Sequence, residues 1–185
     1  MKTLLSWATL FSLASFFITS AQALEQDTTF HFFLGPVIGY QSIQRTYPVA
    51  HTQGMFIYGI RVVAGSELIA GEAMYIHGSA SETFNTPTFS EVDTSRDEIR
   101  VGPRTIFPIL ETVQLIGRAG MQAAHDNFTT NTSTSSFSTS PNWQFDPYVG
   151  AGVNWFIAPQ FSIGIDVTYI FDNELETALG FRLYI

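Results

Sequence analysis

The chain offers four histidines, sixteen side-chain carboxylates and no cysteine as material for chemistry. His77 and His125, with Asp126 and the serines Ser79 and Ser81, are the residue types of a hydrolytic centre. Such a centre needs a serine within hydrogen-bond reach of a histidine that a carboxylate orients. His31 and His51 lack the paired-ligand spacing of a metal site, so neither a metal nor a cofactor is expected. Asn127-Phe128-Thr129 and Asn131-Thr132-Ser133 match the glycosylation pattern but read as polar loop. The larger chemical resource is charge. Arg61, Arg100, Arg104, Arg118 and Arg182 sit at alternating positions within apolar stretches, and so do Glu72, Glu98, Asp146, Asp166 and Glu176.

Alternation of this kind belongs to strands, whose side chains point to opposite faces in turn. It runs through Phe30–Tyr40, Gly54–Ala64, Leu68–Ser79, Asp97–Phe107, Thr112–Ala124, Trp143–Ile157, Phe161–Phe171 and Leu175–Ile185. In each stretch one parity is apolar and aromatic. The other carries the charges above together with Gly39, Gly59, Gly102, Gly120, Gly150, Gly152, Gly164 and Gly180. Three polar segments, Gln41–Gln53, Ala80–Arg96 and His125–Asn142, read as long loops at one end of the strands; Asp172–Glu174 is a short turn at that end, and the connections at the other end are tight turns. Eight strands of about ten residues, with loop lengths of this asymmetry, describe an antiparallel up-and-down barrel that crosses a bilayer. Pro36, Pro103 and Pro147 fall inside strands, where each removes a ladder donor.

The bulk numbers agree with an apolar exterior. Lys2, the apolar run Leu4–Ile18 and Ala21-Gln22-Ala23 form an export leader, so residues 1–23 are expected to be removed and 24–185 to make the barrel. Without the leader the formal charge falls from −8 to −9, because Lys2 is the only lysine. A lysine-free acidic chain offers no phosphate-binding surface, which excludes nucleic acid as a partner. No run of about eighteen apolar residues follows the leader, so membrane helices are excluded. Aromatic residues of the apolar parity gather at the two strand ends. Phe30, Phe32, Phe107, Trp155, Phe161 and Phe181 fall at one end, and Tyr40, Phe56, Tyr58, Tyr75, Trp143, Phe145, Tyr169 and Phe171 at the other. Two aromatic girdles are the mark of a barrel seated at two membrane–water interfaces. The ten charges of the opposite parity then form a lumen set of five cations and five anions, as the cost of burying unpaired charge requires.

Asp146-Pro147-Tyr148-Val149-Gly150-Ala151-Gly152-Val153 resembles a recurrent stretch of the OmpA/OmpX-like eight-stranded outer-membrane barrels. Phe33 to Tyr40 resembles the opening strand of that family, and Ala70 to Tyr75 its third strand with an inward glutamate. The chain ends in Ile185, where the family usually ends in Phe, though Phe181 and Tyr184 remain. The resemblance implies a monomer in the outer membrane of a Gram-negative bacterium, in contact with lipid and recognised by the assembly machinery through its C-terminal strand. It implies external loops for adhesion or contact with a host or surface ligand, as in accessory colonisation factors, and no catalysis. Small barrels also include lipid A deacylases and acyltransferases, but His125-Asp126-Asn127 departs from the His-x-Ser-Asn spacing of the deacylase. A small pore, and a soluble lipocalin-like barrel with the apolar parity inside and the arginines outside, are the remaining alternatives.

Overall fold

The computed structural model describes residues 31–45, 51–66, 68–83, 91–131, 135–140 and 142–184. The export leader, Phe30, Pro48, Glu67, Pro87, Thr132, Ser133 and Ile185 lie outside the described residues. The strands are β1 (His31–Arg45), β2 (His51–Gly65), β3 (Ile69–Glu82), β4 (Glu91–Leu110), β5 (Val113–Asn131), β6 (Ser136–Thr139), β7 (Gln144–Ala158), β8 (Phe161–Ile170) and β9 (Glu174–Tyr184). Every pairing is antiparallel. The ring runs β1-β2-β3-β4-β5-β7-β8-β9 and closes through β9 and β1, so eight strands form the barrel and β6 pairs with β5 beside it.

Following paired residues around the ring from His31 of β1 through Gly65, Ala70, Arg104, Arg118, Gly150, Thr168 and Glu176 leads back to Gln41 of the same strand. That stagger tilts the strands by roughly 35–45° and sets an interior just wide enough for side chains to fill. The expected prolines are absorbed at two interruptions. The β1–β9 ladder skips Gly35 and Pro36, and the β4–β5 ladder skips Gly102 and Pro103. Pro147 starts the outer end of the β7–β8 pairing, where its carbonyl accepts the Phe171 N–H at 3.1 Å.

Burial alternates as the sequence does, with the polarity of a water-soluble protein reversed. Phe145 and Trp155 are 69 % and 62 % exposed, and Ile60, Val101, Val153, Ile165 and Leu179 are also exposed. All seven arginines of the chain point inward, at most 5 % exposed except Arg45 at the mouth. The soluble lipocalin-like arrangement is therefore reversed in the structure. An exterior of this kind is stable against lipid, which costs an apolar side chain nothing and a charged one several kcal/mol. The interior also holds an apolar cluster of Val37, Ile43, Met55, Ile57, Met74, Ile76 and Ala178.

The inward glycines serve two purposes. At Gly164 and Gly152 an added Cβ would meet the Arg182 guanidinium or the Asp166 carboxylate, so these positions make room for charged side chains. At Gly59 and Gly102 it would instead meet the backbone of the adjacent strand, within 2.9 Å of Ile76 Cα in the first case and 2.7 Å of Gly120 Cα in the second. Those two let adjacent backbones approach more closely than a side chain would allow. The turn between β8 and β9 is closed by Asn173 at φ 61°, a left-handed conformation that Asn tolerates better than most residues.

Three expected loops are shorter than their sequences indicate. β4 begins at Glu91 and β5 runs to Asn131, so most of Ala80–Arg96 and the first part of His125–Asn142 are strand. β1 and β2 likewise take Gln41–Arg45 and His51–Gln53. The wall made by β3, β4 and β5 consequently stands taller than the one made by β7, β8 and β9, whose outer connection is the turn Phe171–Asn173.

Candidate functional site

The lumen is crossed by a continuous column of ion pairs. Nearest the β1 start, Asp166 accepts from Arg61 at 2.6 Å and from Arg182 at 3.1 Å, and Arg182 also donates to Asn154. Glu72 receives Arg104 at 2.9 Å, Arg118 at 3.3 Å and Arg61 at 3.5 Å. Arg118 donates further to Thr168 at 2.6 Å. Above this layer Arg100 pairs with Glu98 at 2.5 Å and Glu176 at 2.7 Å, and donates to Gln122 at 2.8 Å. The outermost layer joins Arg96 to Glu98 at 2.6 Å and to Glu174 at 2.8 Å, while Asp126 receives Arg45 at 2.8 Å.

Several pairs span the full diameter. β4 and β9 face each other across the ring, as do β1 and β5. Arg96–Glu174 and Arg100–Glu176 tie the first two walls, and Arg45–Asp126 ties the second. Ring faces add to this, with Phe33 beneath Arg104 at 5.0 Å and Arg182 at 5.9 Å.

Nine of the ten sequence-derived lumen residues, Arg61, Glu72, Glu98, Arg100, Arg104, Arg118, Asp166, Glu176 and Arg182, thus meet in this column. Asp146 does not. It shares the inward parity but is only half-buried at the outer start of β7 and forms no ion pair among the described residues. There the low wall lets solvent reach the carboxylate, which then needs no cation. The sequence expects Arg45, Arg96, Asp126 and Glu174 in loops or turns, whereas in the structure all four lie on strands and join the column. Their strand parity carried the signal, since Arg96, Glu98 and Arg100 continue one alternating series of opposite charges.

The hydrolytic candidates separate. Asp126 is buried in the lumen and cannot orient His125, which faces outward. Asp97 lies in register between His77 and His125. It receives the Tyr75 hydroxyl at 2.6 Å and lies 2.9 Å from His77 Nδ1. His125 instead meets Ser140 Oγ at 2.9 Å through Nε2, while Asn127 Nδ2 lies 3.5 Å from its Nδ1. Serine and histidine are in place, but an amide occupies the position of the orienting acid. Ser79 and Ser81 line a groove higher on the same face. His51 pairs with Glu82 at 2.7 Å. Among the described residues no cluster has the composition of a metal site.

No family model and no curated protein matches the chain. Solved structures do. Ail, the attachment invasion locus protein of Yersinia pestis, in complex with the heparin analogue sucrose octasulfate, aligns with a TM-score of 0.54 and 15 % identity over 84 % of this chain and 97 % of that one. Neisserial surface protein A aligns at 0.60 and 9 % identity over 84 % and 96 %. The N-terminal β-barrel domain of Pseudomonas aeruginosa OprF aligns at 0.56 and 13 % identity over 83 % and 97 %. At such identities the likeness is one of fold: the chain is an all-β, eight-stranded antiparallel barrel of the architecture found in outer-membrane proteins of the OmpA/OmpX-like type.

Proposed function

We propose that this protein is a monomeric surface-contact barrel of a Gram-negative outer membrane, exported with its leader and inserted through its C-terminal strand. Its lumen is shut by the arginine–carboxylate column and its tall outer wall carries recognition. The observation that carries this reading is the combination of an apolar exterior, two aromatic girdles and strands β3, β4 and β5 that continue beyond the outer girdle. A rigid scaffold that lifts polar side chains above a membrane presents them to partners. Adhesion of the accessory colonisation type fits that design, and Ail, similar in fold, is the attachment invasion locus protein of Yersinia pestis.

The ligand differs in kind from the sulfated sugar on Ail. Every arginine of this chain is lumenal, and Glu91, Asp93 and Asp97 stand on the outward face of the wall. Such a surface repels polyanions. Cells displaying the protein should adhere to host surfaces, and deleting 128–140 should abolish adhesion while leaving a folded barrel. Unchanged adhesion in that variant would contradict the reading. The Ser140–His125 contact favours a second reading, an acyl hydrolase acting on lipid beside the barrel, for which Asn127 would have to orient the histidine as an acid does.

A further inference from the structure

The outward face of the tall wall changes character at one level. Up to Tyr75 it is apolar; at His77, Asp97 and His125 it becomes titratable; above them it is lined by Ser79, Ser81, Asp93, Ser95, Asn127 and Thr129. Together with Ala80 and Thr94 these six line a shallow groove of about 430 Å³, within the roughly 300–1,000 Å³ typical of small-molecule sites. Ser79 faces Ser95, which faces Asn127, and Ser81 faces Asp93, which faces Thr129. Two rows of hydroxyl, amide and carboxylate groups therefore run across three strands at the interstrand spacing of about 4.8 Å.

Three features select the ligand. Donors and acceptors are dense, and Ser79, Ser95 and Thr129 do not spend their hydroxyls on one another, which suits a molecule edged with hydroxyls. Among the described residues no lysine or arginine lines the groove, and Asp93 lies in it with Glu91 beside it, held by Ser81 at 3.1 Å; phosphate and sulfate are therefore disfavoured. Below it lie flat ring faces, with Tyr58 5.3 Å from His77 and Trp143 5.2 Å from His125. Rings of this kind pair an apolar body with a polar tip at a membrane interface, and they cover the C–H face of a sugar.

We propose that this groove is a binding site for uncharged saccharide. The proposal rests on the reading of the tall wall as surface-exposed, and it names the ligand class of that wall. The sugar comes either from glycolipid headgroups in the same leaflet or from a glycan arriving from outside.

The test uses the mature chain folded in phospholipid nanodiscs, with Trp155→Phe so that Trp143 reports on the site. Titration with maltoheptaose and a neutral mannan oligosaccharide should change the fluorescence saturably for at least one of them, and sucrose octasulfate should not. Ser95→Phe, which fills the groove from its central strand, should weaken the response at least tenfold while the barrel stays folded. Silence with both neutral sugars, or sugar binding indifferent to Ser95→Phe, overturns the proposal. Discs containing lipopolysaccharide separate the sources. A response lost there assigns the groove to headgroup sugar, and a response retained assigns it to external glycan; each supports the site. Labelling of Ser138→Cys in intact cells by an impermeant maleimide tests the surface reading on its own. Absence of label defeats that reading, whereas label without saccharide binding defeats the groove alone.

Discussion

Replacing Glu72 by Gln removes one charge from the point where three guanidiniums converge. Arg61 keeps Asp166 at 2.6 Å and Arg118 keeps Thr168 at 2.6 Å. Arg104 keeps no carboxylate among its described ion pairs, only the Phe33 ring at 5.0 Å. Stranding a buried charge in this way costs about 3–5 kcal/mol. Arg104→Met added to Glu72→Gln removes the stranded cation and substitutes an apolar chain of similar length. The double variant should recover part of the loss, with a coupling of roughly 0.5–3 kcal/mol. The assay is urea unfolding of the barrel in lipid vesicles followed by tryptophan fluorescence, with shifts in midpoint read at constant slope. A Glu72→Gln cost under about 1 kcal/mol, the scale of exposed pairs, together with simple additivity in the double variant, would refute the reasoning. It would mean that water in an open lumen, not Glu72, satisfies these guanidiniums.

Three further outcomes are expected. Gly59→Ala, whose new Cβ would run into the backbone of β3, should prevent folding, while Gly71→Ala, with only the Ala64 carbonyl at 3.8 Å, should fold normally; refolding yield of the two variants decides this. In planar bilayers the wild-type protein should show no steady conductance, and Arg100→Ala with Glu176→Ala, which unties opposite walls, should show current steps; a conducting wild type would contradict a shut lumen. Ser140→Ala and His125→Ala should leave the acyl pattern of lipid A unchanged in mass spectra of whole cells, and a lost or gained chain would revive the hydrolase.

The membrane-embedded part of the fold was legible because lipid enforces alternation there. Ile99 and Val101 must be apolar when Glu98 and Arg100 face the lumen, and β4 reads accordingly. Beyond the outer girdle the exterior meets water and that constraint ends. Asp93 and Ser95 outside, with Thr94 and Arg96 inside, are polar on both faces, so this extension of β4 has the composition of a loop. β5 repeats the effect, with Asn127 and Thr129 outside and Asp126 and Thr130 inside. The same blindness hid Arg45, Arg96, Asp126 and Glu174 from the lumen set, and it hid the polar groove, whose residues look like loop filler until β3, β4 and β5 are seen side by side. The His125–Ser140 contact was illegible for another reason: β6 folds back along β5 and carries Ser140 with it, a juxtaposition that no periodicity announces.

The most direct test of the barrel in its membrane is electrophoresis of the outer-membrane fraction in SDS, with and without boiling. A closed, hydrogen-bonded barrel resists SDS until heated, so the unboiled protein should migrate apart from the boiled one and should sediment with the outer membrane. Protein recovered in the soluble periplasm, migrating identically in both lanes, would contradict a lipid-facing barrel.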